Sequence, residues 1–87
     1  MKMTDREGGL VPLELKAIWR ALDRTGRVTA RMGRKAITLR QHSVCGNLAY
    51  TVRAGAADAP AFRNVDRAYI RFRFVVEADF QESLPPL

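Results

Sequence analysis

A change of hydrophobic period at Gly26 constrains the fold of this chain more than any other feature of its sequence. Before Gly26, apolar residues recur at helical spacing; after it, apolar and polar residues alternate with a period of two. A helix buries its apolar stripe against a partner element, and a strand with one apolar face buries that face in the same way. The sequence therefore predicts an α+β fold in two layers, with one N-terminal helix packed on one face of a four-stranded, mainly antiparallel sheet.

The helix is predicted from Pro12 to about Arg24. Pro12 suits the first helical position because its missing N–H has no partner there, and Glu14 places negative charge in the first turn. Gly26 supplies the C-terminal stop. The apolar stripe that this helix would bury consists of Leu15, Ile18, Trp19 and Leu22.

Four strands are predicted after the helix. Residues 27–32 and 36–41 alternate on either side of Gly33 and indicate a β-hairpin, and residues 48–54 form a third strand. Residues 68–79 are rich in aromatic and β-branched side chains and alternate throughout, which predicts the fourth strand. Residues 61–66 fit either a short helical turn or irregular chain.

The length of 87 residues predicts a single domain with one core, and 47% apolar with 28% charged residues is a globular balance. We expect a flexible segment at residues 1–9, the α+β domain at 10–80, and a C-terminal tail at 81–87. The tail contains Pro85 and Pro86, which cannot pair in a central strand.

The single cysteine, Cys45, cannot close an intramolecular disulfide, which favours a reduced, cytoplasmic setting. Residues 1–9 mix charges and lack an apolar run behind them, so no ordinary signal peptide is predicted. No stretch approaches the roughly 20 apolar residues that span a bilayer. We therefore expect no membrane partner.

Positive charge is the main functional signal. Fifteen Lys and Arg against nine Asp and Glu give a net charge of +6 and an isoelectric point near 10.5, which favours polyanionic partners. Twelve of the fifteen cations are Arg, whose guanidinium binds phosphate or carboxylate through two parallel hydrogen bonds.

Strand alternation assigns these cations to one face of the predicted sheet. The core face takes apolar side chains: Val28, Ala30, Met32, Ile37, Leu39, Leu48, Tyr50, Val52, Ile70, Phe72, Phe74 and Val76. The opposite face takes Tyr69 and six arginines: Arg27, Arg31, Arg40, Arg53, Arg71 and Arg73. A second basic stripe on the helix consists of Lys16, Arg20 and Arg24. The alternative is an ordinary solvated face on which Glu77 and Asp79 pair with the arginines.

His42 and Cys45 are the only pair with a spacing that suggests a metal or a nucleophile. A structural zinc site needs four ligands, and a Cys/His nucleophile needs an orienting group and an oxyanion site, for which the sequence offers no companions. We expect a small buried thiol and a surface imidazole. The sequence thus predicts no catalytic residue, no metal and no cofactor, and the chain is interpreted as a non-enzyme.

The favoured function is a small binding module that engages a polyanionic partner, with nucleic acid preferred, through the arginine-rich sheet face. Tyr69 alone offers a base-stacking platform there, and no second helix follows the first at a short turn, so neither an RNA-recognition module nor a helix-turn-helix is indicated. One alternative is a phage-type accessory protein or inhibitor, for example anti-CRISPR-like, that docks on a nucleic-acid-processing complex. The other is a structural subunit of an assembly.

Overall fold

The structure, a computed structural model, describes residues 2–55 and 60–81. Its elements are β1 (Lys2–Asp5), α1 (Leu15–Thr25), β2 (Arg27–Met32), β3 (Lys35–Val44), β4 (Asn47–Ala54), β5 (Ala61–Phe62) and α2 (Val65–Gln81). The strands form one sheet in the order β1-β2-β3-β4-β5, and each pairs antiparallel with its neighbour. Both helices share one core cluster with the inner face of this sheet. The predicted α+β class and the helix-on-sheet packing are confirmed, but the sheet gains two strands, β1 and β5, and a second helix replaces the predicted fourth strand.

Helix α1 begins later than predicted. Pro12 lies outside the helix, where its carbonyl accepts the Glu14 N–H at 2.8 Å, and Glu14 is the N-cap with an extended backbone. The predicted stop is confirmed, since Gly26 adopts φ 79° and its N–H donates to the Leu22 carbonyl at 2.8 Å. Trp19 lies at the edge of the apolar stripe and is 49% exposed, contrary to its predicted burial.

The predicted hairpin and third strand are confirmed. Gly33, with φ 61°, lies in the turn between β2 and β3. Cys45 and Gly46 form the two-residue turn between β3 and β4, with φ values of 52° and 81°. Positive φ at both central residues is the requirement of the type I′ turn, which matches the twist of the two strands.

The prediction of a strand over residues 68–79 is wrong, because these residues belong to α2. Ala68, Phe72 and Val76 recur every four residues and are buried, whereas Ile70 and Phe74 are 65% and 62% exposed. The helix begins after Asn64, whose side-chain oxygen accepts the Asp66 N–H at 2.7 Å as an N-cap. Residues 61–66, which fitted either a short helical turn or irregular chain, contain β5 and the start of this helix.

The prediction of a flexible segment at residues 1–9 is wrong for residues 2–5, which form strand β1. This strand pairs with β2 from Lys2↔Arg31 to Asp5↔Val28, and Met3 enters the core. At the other end, α2 runs to Gln81, one residue into the predicted tail, and residues 82–87 lie outside the described part of the chain.

Asp5 fixes the connection between β1 and α1. Its side chain is buried, and one carboxylate oxygen accepts the N–H groups of Glu7 and Gly9, both at 2.9 Å. The other oxygen lies 3.5 Å from an Arg24 guanidinium nitrogen. A Cβ added at Gly9 would lie 2.9 Å from this second oxygen, so a larger residue there would displace the Asp5 side chain from its hydrogen bonds.

The core is centred where α1 and α2 meet the middle strands. Its largest fully buried side chains are Phe72, Ile18, Leu22, Ile37, Leu39 and Val28. Tyr50 on β4 is also buried, and burial, followed by the negative charge of Asp23, raises the pKa of its hydroxyl above 10.0. Leu48, predicted for the core face, is 48% exposed because it lies at the turn end of β4.

Candidate nucleic-acid interface

The outer face of the sheet, opposite the helices, carries cations and no acidic residue within its described strands. Strands β2 to β5 contain no Asp or Glu, and the one acid of β1, Asp5, pairs in register with Val28 on the inner side. We name this surface the basic face and define it by the outward cations Lys2, Arg27, Arg31, Arg40 and Arg53. All five side chains are exposed.

Four of these cations form two cross-strand pairs of like charge. Arg27 lies directly opposite Arg40, and Lys2 lies directly opposite Arg31. The Gln41 N–H donates to the Gly26 carbonyl at 2.9 Å beside the first pair, which makes Arg27 and Arg40 a non-hydrogen-bonded pair. Residues in such a pair have Cα atoms only about 4.5 Å apart, and like charges directly opposite each other destabilise the pairing.

A row of threonines separates the two pairs. Thr4 lies opposite Thr29, Thr29 opposite Thr38, and Thr38 opposite Arg53. The hydroxyl oxygens of Thr29 and Thr38 lie 3.3 Å apart. The basic face thus consists of two cationic rows, Lys2–Arg31 and Arg27–Arg40, on either side of a row of threonines. Arg53 lies at the β4 end of the threonine row.

An open depression of about 390 Å³ lies at one end of the basic face. Its lining combines cationic and hydroxyl side chains: Arg27, Thr38, Arg40, His42, Thr51 and Arg53. The His42 Nε2 lies 2.9 Å from the Thr51 hydroxyl, which holds the imidazole ring over β4. These groups are suited to bind an anion through several hydrogen bonds from different strands.

The arginines of the basic face have no ion-pair partner among residues 2–55 and 60–81. The ion pairs of this part of the chain join Arg24 to Asp5 and Arg73 to Glu77. In the alternative of a solvated face, Glu77 would pair across the sheet, but it bonds Arg73 at 2.9 Å within α2. The side chain of Asp79, the other acid of that alternative, lies outside the described part of the chain.

Three of the predicted site residues lie elsewhere. Tyr69, Arg71 and Arg73 belong to α2, on the helical side of the sheet, because residues 68–79 form a helix. Tyr69 packs against the core, and the Arg71 guanidinium lies 5.9 Å from the centre of the Phe74 ring. Hydrogen bonding to the carboxylate of Glu77 raises the pKa of Arg73.

Four of the six predicted arginines, namely Arg27, Arg31, Arg40 and Arg53, therefore share the outer face. The cation that sequence reasoning missed is Lys2, because β1 was not predicted. The secondary stripe lies along α1, also away from the basic face, and consists of Lys16, Arg20 and Arg24, all exposed.

The expected environments of His42 and Cys45 are reversed. Cys45 is exposed because it occupies the two-residue turn after β3, whereas His42 is half-buried within that strand. Within the described residues, no group of three His, Cys, Asp or Glu side chains is placed to hold a metal ion.

Compared with known proteins, the chain matches no family model, and neither a curated protein nor a solved structure is significantly similar to it. Neither α1 nor α2, over their described residues, has the length and apolar character that crossing a membrane requires.

Proposed function

We propose that this protein is a small non-enzymatic module that binds a polyanion, nucleic acid in preference, through the basic face. The observation that carries the proposal is the placement of Arg27 opposite Arg40 and of Lys2 opposite Arg31, with no acid on the described strands of that face. Like charges directly opposite each other destabilise a sheet. Bound phosphates remove this repulsion, so the arrangement favours the bound state.

Nucleic acid fits this surface better than a single small anion does. Five cations extend over four strands, from Lys2 on β1 to Arg53 on β4. Double-stranded DNA presents one negative charge per about 1.7 Å of helix axis, and proteins neutralise it with arrays of Lys and Arg. Guanidinium groups contribute geometric fit to phosphate as well as charge.

The direct test measures binding across salt concentrations. In fluorescence anisotropy with labelled DNA and RNA oligonucleotides, the logarithm of the association constant should fall linearly with the logarithm of the salt concentration. The double variant Arg27→Gln/Arg40→Gln should weaken binding and reduce the slope by about 1.8 for duplex DNA, since each lost phosphate contact removes about 0.9.

The matched control is Arg67→Gln/Arg71→Gln, which removes the same charge from exposed positions of α2. This control should leave the slope almost unchanged. Absence of binding at low salt, or an equal loss in the control, would contradict the proposal.

A second candidate function rests on the outward side of α2. Ile70 and Phe74 are adjacent on this helix, 65% and 62% exposed, and Arg67 and Arg71 flank them. An exposed apolar pair beside guanidiniums that form no ion pair within the described residues fits an apolar protein surface bordered by carboxylates. This feature favours the accessory or inhibitor alternative, in which the partner is a protein.

The two candidates are separated by a nuclease-treated affinity pulldown. A protein partner bound through α2 should remain after nuclease and be lost with Phe74→Ala, but not with Arg27→Gln/Arg40→Gln. Loss of the partner after nuclease treatment and with Arg27→Gln/Arg40→Gln, but not with Phe74→Ala, favours nucleic acid. The structural-subunit alternative and the cytoplasmic location stay predictions.

A further inference from the structure

We infer that the basic face fits a nucleic-acid duplex of B-form geometry, with its two cationic rows on the two phosphate backbones across one groove. This inference rests on the proposed function and specifies its ligand. It follows from two independent features of the face: the absence of outward Phe, Tyr and Trp side chains from its described strands, and the distance between its cationic rows.

The first feature concerns base stacking. Tyr50 and Phe62 lie in register on the inner side of the sheet, and the other aromatic residues of the described chain belong to α1 or α2. Proteins that bind single strands rely on aromatic side chains on which unstacked bases lie. A duplex keeps its bases stacked with one another and presents phosphates outward, so it requires no such platform.

The second feature is the spacing of the rows. Arg27 and Arg31 lie four residues apart on β2 and point to the same side. At about 3.3 Å per residue, the Lys2–Arg31 row and the Arg27–Arg40 row are about 13 Å apart. The major groove of B-DNA is about 12 Å wide. One row therefore reaches each phosphate backbone when the sheet lies across this groove.

The surface between the rows determines what the protein reads. Thr4, Thr29 and Thr38 occupy it, and the hydroxyls of Thr29 and Thr38 lie 3.3 Å from each other. These side chains are too short to reach base edges at the floor of a groove that is about 8.5 Å deep. The contacts are then with phosphates, which fix position without reporting sequence.

The experiment compares four probes by fluorescence anisotropy at low salt: a 20-base-pair DNA duplex, each of its single strands, an RNA duplex of the same sequence, and a DNA duplex of scrambled sequence. The DNA duplex should bind at least tenfold more tightly than either strand and more tightly than the RNA duplex. Scrambling the sequence should change the dissociation constant by less than threefold.

Variants test the two rows separately. Arg27→Gln and Arg31→Gln each remove one cation from a different row, and each should reduce the salt slope by about 0.9, with additive effects in the double variant. Arg67→Gln on α2 is the charge-matched control and should leave the slope unchanged. Circular dichroism verifies that each variant keeps the helical content of the parent.

The outcomes separate this inference from the proposed function. Equal or tighter binding of the single strands, or tighter binding of the RNA duplex, overturns the inference and leaves the proposed function standing. An effect of only one of the two row variants overturns the two-row arrangement. Absence of binding to every probe overturns both.

Discussion

Replacing Arg40 should make the isolated protein more stable while it weakens binding. Arg40 lies directly opposite Arg27 in a non-hydrogen-bonded pair, where side chains are closest. Favourable cross-strand pairs contribute about 0.2–1 kcal/mol, and we expect the repulsion of this like-charge pair to be of the same size. Arg40→Gln removes that repulsion, and for a domain of this size the melting temperature should rise by about 1–8 °C. Arg40→Glu replaces repulsion with attraction and should raise it further.

The assay is thermal unfolding followed by circular dichroism at 10 mM and 1 M salt. The Debye length falls from about 30 Å to about 3 Å between these conditions, so the gain should be present at low salt and absent at high salt. Arg34→Gln is the charge-matched control, since Arg34 lies in the turn between β2 and β3 and is exposed. Affinity for duplex DNA should be highest in the wild type, lower in Arg40→Gln and lowest in Arg40→Glu. This order is the reverse of the expected order of stability.

Two results would refute this reasoning. If Arg40→Gln lowers the melting temperature at low salt, the contacts of the aliphatic Arg40 stem with the sheet outweigh the repulsion from Arg27. If the gain persists unchanged at 1 M salt, its origin is not electrostatic. In either case the like-charge pairs do not favour a polyanionic partner.

Three further predictions concern the fold. Phe72→Ala should lower the free energy of unfolding by about 3–5 kcal/mol and Phe74→Ala by no more than about 0.5 kcal/mol in urea titrations; similar losses would contradict the helical register of α2. Gly9→Ala should cost about 1–3 kcal/mol, because its Cβ would lie 2.9 Å from an Asp5 oxygen, and an unchanged urea midpoint would be inconsistent with that contact. Because burial raises the pKa of Tyr50, its contribution to stability is complete below pH 10.0 and lost as the pH rises through the higher folded-state value. In urea titrations from pH 9 to 11, the free energy of unfolding should therefore fall less steeply with pH in Tyr50→Phe than in the wild type. Equal pH dependence in the two proteins would contradict the raised pKa.

The sequence supports both a strand and a helix at residues 68–79. Positions 68, 72 and 76 fall on one face of a strand and also on one stripe of a helix, because a spacing of four is compatible with both periods. The two structures differ for Ile70 and Phe74, which a strand would bury and α2 exposes. Two signals favour the helix: a length above that of ordinary strands, and an Asn at position 64 that caps the helix.

The first strand could not be found from periodicity, because four residues with one buried apolar side chain show no pattern. Its pairing with β2 depends on the loop that Asp5 organises, which is a tertiary feature. By contrast, α1 to β4 were predictable because glycines at positions 26, 33 and 46 mark where each element ends. The candidate site divides in the same way, since its arginines on β2, β3 and β4 were predictable and Lys2 was not.

The distribution of the acids supports the outer face of the sheet as the point of approach for a polyanion. The described acids lie in β1 on its inner side, in the connections, or in the helices, where they are mixed with cations. The helical side therefore presents both signs of charge, as in the pair of Arg73 with Glu77, whereas the described strands present only cations outward. A surface of one sign orients a charged partner before contact, and mixed charge does not. Association of duplex DNA should consequently slow with added salt, and Arg27→Gln/Arg40→Gln should lower the association rate more than Arg67→Gln/Arg71→Gln does, although both variants carry the same net charge.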